Sequence, residues 1–325
     1  MSEKVGIPRA MMFYRYYPLW STFLRELGFE VVISPSTSKH IMERGILQTP
    51  EDTCLPVKVA VGHADWLKDK VDFLFIPRLV HISKKYATCP KFLGLPDMIR
   101  AEIDALPPVL DPTFDAKKYS FAKTFMNLGR KFMRNPFKIR GAYKKATSEQ
   151  ESFYQKIASG VSVPKALGIE DQTNAINRET SVVGVVGHPY NLYDRYISVD
   201  LFKKLGNMDV RVLTPEMLDH LDIENALQTV ERPPYWELGR ECVGSALHFL
   251  SGHADGVIHL ISFECGPDSL LRALIEFENR SRYNVPYMPL VLDEHTGEAG
   301  LVTRLEAFID MITRKPGSTV ETAHL

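Results

Sequence analysis

Residues 28–33 read Gly28-Phe29-Glu30-Val31-Val32-Ile33, a helix stop followed by a β-rich run. Upstream, the spacing of apolar residues predicts a helix over 19–27, and before it a short apolar strand over 5–7. Strand, helix and strand in that order open a β-α-β unit. The pattern continues with Ser34-Pro35-Ser36-Thr37 capping a short helix, a helix over 55–68, a buried strand over 73–76 and a helix after Pro96-Asp97. Strands that alternate with helices imply an α/β fold built on a doubly wound parallel sheet.

The order returns from Val182-Val183-Gly184-Val185-Val186 onward. A helix is expected near 201–205, a strand over 210–213, a helix over 236–250 and a strand over 256–260. A helix after Pro267, a strand over 289–292 and a helix after Gly300 complete the second half. Cys89 lies 83 residues after Gly6 and Cys265 lies 81 after Gly184, so two cysteines hold comparable places in two halves that look duplicated. The expected division is an α/β domain over 1–115, a basic helical linker region over 116–180, a second α/β domain over 181–313 and a flexible tail over 314–325.

The 39 basic and 40 acidic side chains nearly cancel, which excludes a generally nucleic-acid-coating or acidic chain. No basic-then-apolar leader opens the sequence and no apolar run approaches the length of a membrane span, so a cytoplasmic protein is expected. One local exception stands out. Residues 117–145 carry ten Lys and Arg without an Asp or Glu, interleaved with Phe121, Phe125, Phe132 and Phe137 and interrupted at Asn135-Pro136. The segment reads either as a solvated amphipathic linker or as a docking surface for an acidic partner or a phosphate-bearing ligand. Nucleic acid and membrane are not the expected partners.

Four cysteines in a chain of this length cannot form a disulfide framework, and Cys54, Cys89, Cys242 and Cys265 contain no C-x-x-C pair. A metal site must therefore be assembled from distant loops. Cys54, Cys89 and Cys265 each lie in a loop beside a proline, and Cys54 and Cys265 directly precede helices, whose free N–H groups favour a thiolate. Cys242 sits within a helical stretch and is expected to be a small buried hydrophobe. Spacing alone leaves open whether the three loop cysteines share a metal.

Six stretches carry a more specific resemblance. They are Gly6-Ile7-Pro8-Arg9-Ala10 with Tyr14-Arg15-Tyr16-Tyr17-Pro18-Leu19-Trp20; Asp52-Thr53-Cys54-Leu55-Pro56-Val57-Lys58; Cys89-Pro90-Lys91-Phe92-Leu93-Gly94-Leu95-Pro96-Asp97; Gly187-His188-Pro189-Tyr190-Asn191-Leu192-Tyr193-Asp194; Cys265-Gly266-Pro267-Asp268-Ser269; and Asp293-Glu294-His295-Thr296-Gly297-Glu298-Ala299-Gly300. In this order they resemble the acyl-CoA dehydratase activase-related family. That family is similar to the iron-sulfur subunits of 2-hydroxyacyl-CoA dehydratases, to benzoyl-CoA reductase components and to double-cubane cluster proteins.

The resemblance implies flavodoxin-like domains around an iron-sulfur cluster of 4Fe-4S type, as a single or double cubane. It implies Cys54, Cys89 and Cys265 as ligands, low-potential electron transfer or reduction and dehydration chemistry in anaerobic metabolism, and homo- or heterodimers. A separate ATP-dependent activase would supply the electrons, since the chain has no Gly-rich ATPase sequence. Three thiolates on a cubane leave one iron free for substrate, water or sulfide. Around that centre Glu294 and His295 are candidates for proton donation, and Arg9, Lys58, His188, Tyr190 and Asn191 for holding a substrate or balancing charge. His188 follows a strand, at the sheet edge where α/β folds bind ligands. Gly184-Val185-Val186-Gly187 is too short for a dinucleotide fingerprint. Two alternatives keep the fold: a non-redox cleft that closes on a small ligand, and a zinc hydrolase in which His295 joins the thiolates.

Overall fold

The computed structural model describes residues 2–169 and 181–313. The first half runs β1 (Lys4–Ile7), α1 (Phe13–Glu26), β2 (Glu30–Ile33), α2 (Lys39–Gln48), α3 (Leu55–Leu67), β3 (Phe73–Phe75), β4 (Arg78–His81), α4 (Pro90–Glu102), β5 (Val109–Leu110), β6 (Thr113–Asp115), α5 (Phe121–Gly129), α6 (Pro136–Ala158) and α7 (Val163–Ala166). The second half runs β7 (Ser181–Val186), α8 (Pro189–Leu192), α9 (Leu201–Asn207), β8 (Val210–Leu213), α10 (His220–Leu227), α11 (Glu237–His248), β9 (Gly256–Ser262), α12 (Gly266–Glu278), β10 (Tyr287–Leu292) and α13 (Glu298–Thr313).

Each half contributes one four-stranded sheet, ordered β2-β1-β3-β5 and β8-β7-β9-β10, and every pairing in them is parallel. In both, the second, first, third and fourth strands of the sheet lie side by side. A short parallel pair, β4 with β6, stands apart and was not foreseen. The central strands β7 and β9 are buried almost throughout, as inner strands of a parallel sheet are; all seven residues of β9 are buried.

Local chemistry fixes the helices that matter for the site. The Ser38 hydroxyl caps α2 by accepting from the Ile41 amide. α2 and α3 then meet backbone to backbone: a Cβ on Gly45 would lie 1.9 Å from the Lys58 carbonyl oxygen, and one on Gly62 would lie 2.1 Å from that of Ile41. α4 starts at Pro90, not after Pro96-Asp97 as expected. Pro90 occupies the first turn, where its missing N–H costs nothing, and burial of Phe92, Leu95 and Ile99 outweighs the strain of Pro96 inside the helix.

One apolar cluster extends from Val5 and Ile7 through Phe75 and Phe125 to Leu290 and Phe308, so the two halves share a core. The basic segment is not a free tether. It forms α5 and α6, capped by Ser120 and Asn135, and it buries Phe125, Ile139, Ala142 and Ala146 while Arg130, Lys131, Arg134 and Lys138 face outward. The tail expected over 314–325 and the end of the linker region, 170–180, lie outside the described residues. No described helix is long and apolar enough to cross a membrane.

Candidate metal centre

Cys54, Cys89 and Cys265 are the N-caps of α3, α4 and α12, each with extended backbone and a proline in the helix's first turn. None of the thiols makes a capping hydrogen bond to its helix. Instead the first-turn amides of Val57, of Lys91 and Phe92, and of Asp268 act on the respective sulfurs and favour their thiolates. Each cysteine thus stands where partial positive charge from a helix end is available.

Burial nevertheless pushes all three thiols above the ordinary cysteine value, and their mutual repulsion adds to it: Cys89 acts on Cys54, and both act on Cys265. Tyr190 reports the same convergence. Burial raises its phenol, and the thiols of Cys265, Cys89 and Cys54 together with Asp268 push it further. Three thiols, one buried and two partly buried, that repel one another as they ionise would all become thiolates only against compensating positive charge, which a metal centre supplies. An iron-sulfur cluster on Cys54, Cys89 and Cys265 would meet that charge requirement.

A second group of donors adjoins Cys265. His188, Cys265 and Asp268 offer donor atoms that all lie within 4.8 Å of one another. His188 is the N-cap of α8 and Asp268 lies in the first turn of α12, at the ends of the neighbouring strands β7 and β9. His188 Nε2 is 2.7 Å from Asp268 Oδ1, a short but poorly aligned ion-pair contact that leaves both carboxylate oxygens without a directed hydrogen bond. Burial lowers the His188 pKa but the Asp268 charge more than reverses this, and the same pairing holds Asp268 below its ordinary range against the effect of burial. Gly187, at φ +153°, admits the turn: a Cβ there would lie 2.8 Å from the Leu260 carbonyl oxygen.

The remaining candidates lie at different distances from this chemistry. Tyr190 is buried with its ring 5.2 Å from that of His188. Asn191 is buried too, and its side-chain oxygen accepts from the Ser262 hydroxyl at 2.7 Å. Lys58 is buried and committed to Glu294 at 2.8 Å, so neither is a free charge. Arg9 donates to Ser36 at 2.9 Å and adjoins Tyr14 and Asp194 on a cleft of about 410 Å³ that Glu294 also lines. His295 is exposed, held by its backbone amide on Asp293; the histidine grouped with one of the three capping cysteines is His188. Cys265 itself opens on a separate cleft of about 490 Å³.

Cys242 is buried in α11 as a small hydrophobe, with its sulfur 3.4 Å from His259 Nε2. Burial pulls His259 down to about 4, which keeps it neutral between Cys242 and the Tyr287 hydroxyl. Sequence reading missed Asp268 as a site residue, although its place three residues after Cys265 in a first helical turn carried that signal. It also missed the polar link between halves in which the Thr37 hydroxyl donates to Asp194 while meeting His63 Nε2 at 2.9 Å.

The sequence model of the family described as the CoA enzyme activase uncharacterised domain (DUF2229) matches residues 4–218. The match takes in Cys54, Cys89, His188 and Tyr190, and stops before Cys265, Asp268 and Glu294. None of the curated proteins matches the chain.

Proposed function

We propose that this chain, which belongs to the CoA enzyme activase uncharacterised domain family, holds a 4Fe-4S-type cluster on Cys54, Cys89 and Cys265 and serves as an electron-transfer component of a CoA-ester reduction or dehydration system. The observation that carries this reading is that three helix N-cap cysteines, Cys54 buried and Cys89 and Cys265 partly buried, all act electrostatically on one neighbour, Tyr190. When bound, such a cluster supplies a one-electron store at low potential.

The chain's own residues do the rest. The partial positive charge at the N-termini of α3, α4 and α12, which Cys54, Cys89 and Cys265 cap, would favour the reduced state's extra negative charge. Burial of Cys54 and the flanking rings of Tyr190 and Phe92, 5.9 Å apart, exclude water from one side. Lys91 is the cation that acts on both Cys54 and Cys89. Electrons would come from a separate ATP-dependent activase, and the family's name supports a place in such a partnership. The common strand order of the two sheets, with Cys89 and Cys265 each capping a helix after the third strand, supports reading the halves as duplicated flavodoxin-like units.

The test is anaerobic purification with iron, sulfide and zinc assays on the native chain and on single Cys→Ser variants. Iron and sulfide in cubane proportion, lost on substitution of Cys54, Cys89 or Cys265 and kept in Cys242→Ser, are the expected results. Zinc without sulfide, or full iron retention in Cys265→Ser, would overturn the reading.

A further inference from the structure

We infer that His188 is a fourth protein ligand of this centre, offering its Nδ1 to the iron that three thiolates leave free, with Asp268 as the carboxylate that orients it. The inference rests on the cluster reading above and assigns its remaining coordination position.

Three observations lead there. His188 Nδ1 is buried and has no hydrogen-bond partner, in a residue only 4% exposed. Its other ring nitrogen faces Asp268 at 2.7 Å, and Asp268 is 1% exposed. One ring nitrogen of His188, a carboxylate oxygen of Asp268 and Sγ of the proposed ligand Cys265 lie within 4.8 Å of one another. A buried ring nitrogen left unpaired keeps its full desolvation penalty, so its persistence asks for a ligand. Histidines that bind metals characteristically direct the second ring nitrogen at a carboxylate, which fixes the tautomer and strengthens the first as a donor. With the proton on Nε2, the nitrogen that faces the Asp268 carboxylate at 2.7 Å, Nδ1 carries the lone pair.

The topology agrees. β7 and β9 are hydrogen-bonded neighbours, and His188 and Cys265 both follow the carboxyl ends of these strands. A lone buried histidine packed among apolar groups would not need Asp268. A neutral imidazole in place of a fourth thiolate raises a cluster's potential, and it closes the free iron to substrate. The chain is then an electron carrier whose reacting partner lies elsewhere.

The experiment is pulsed electron paramagnetic resonance on the reduced, anaerobically reconstituted chain with unlabelled and with ¹⁵N-histidine. A directly bound nitrogen gives a strong coupling that changes with the isotope, and it disappears in His188→Gln while iron stays near the native amount. In Asp268→Asn the coupling persists with iron affinity about 10–100-fold weaker. His188→Cys, which restores four ligands should the glutamine variant not fold, loses the nitrogen coupling and has a lower midpoint potential. Iron and sulfide without nitrogen coupling in the native chain, or a coupling unchanged in His188→Gln, overturn the histidine ligand alone. A chain that takes up no iron and sulfide overturns the cluster itself.

Discussion

Lys58 Nζ lies 2.8 Å from Glu294 Oε1 although 236 residues separate the two in sequence. The pair ties the helix that Cys54 caps to the loop that follows β10, and so fastens the two halves beside the cleft.

Removing one partner strands the other. Glu294→Gln leaves the buried Lys58 ammonium uncompensated and is expected to cost about 3 kcal/mol in urea unfolding, whereas Lys58→Met with Glu294→Leu costs less. Burial alone would raise the Glu294 carboxyl, but its hydrogen bond to Lys58 outweighs this and holds it below the ordinary value of 4.5. A depressed carboxyl contributes stability above its unfolded value and loses it as pH falls through the folded one. The stability difference between native and Glu294→Gln should therefore shrink as pH falls below about 4.5; a difference that is flat with pH would refute the ion pair's role.

Glu216 behaves in the opposite sense. Burial and then the charge of Glu241 raise its carboxyl from 4.5 to about 7, and the Tyr193 hydroxyl donates to it. A raised acid favours folding below the unfolded value and penalises it as pH climbs through the folded one. Glu216→Gln, which keeps an acceptor for Tyr193, is expected to be more stable than the native chain at pH 8 and equal to it below about pH 4.5. Thermal unfolding at both values checks this.

The contact between α2 and α3 leaves no room for side chains. Gly62→Ala must push Ile41's backbone away, at a cost of about 1–3 kcal/mol or more, and it displaces the helix that carries Cys54. Lower melting temperature together with lower iron retention is the expected pair of effects. Gly94, which meets nothing within 4 Å, is the control: Gly94→Ala should leave both unchanged.

The outward face of the basic segment should attract an acidic protein. With Arg130, Lys131 and Arg134 changed to Ser, reduction by a candidate activase is expected to slow at low salt and to match the native rate once the Debye length falls to about 3 Å at 1 M salt. Equal rates at every salt concentration would leave these charges as mere solubilising groups, and tight duplex binding would redirect the search to nucleic acid.

Much of this architecture could be read from the chain, because buried parallel strands such as Val182-Val183-Gly184-Val185-Val186 are uninterrupted apolar runs and Gly28 stops a helix. Where tertiary packing overrides local rules, reading failed. Pro96 signalled a helix start and sits inside α4, since Phe92, Leu95 and Ile99 hold that helix to the core. The pairing of β4 with β6 depends on partners more than thirty residues apart in short, mixed sequences. Within the site, the capping positions of Cys54 and Cys265 followed from flanking prolines. The pairing of His188 with Asp268, and of Lys58 with Glu294, could not, because only the fold brings those residues together.

The apolar cluster shared by both halves has a kinetic consequence. Separating the sheets would expose Leu290 and Phe308 along with Val5 and Ile7, so the three helix ends that meet at Tyr190 are held by close packing and not by a hinge. Atoms surrounding a redox group seated there can shift only slightly when its charge changes. For the proposed cluster, the reorganisation energy of an electron hop would then be small, and its rate would be governed chiefly by how near a donor or acceptor can approach the surface.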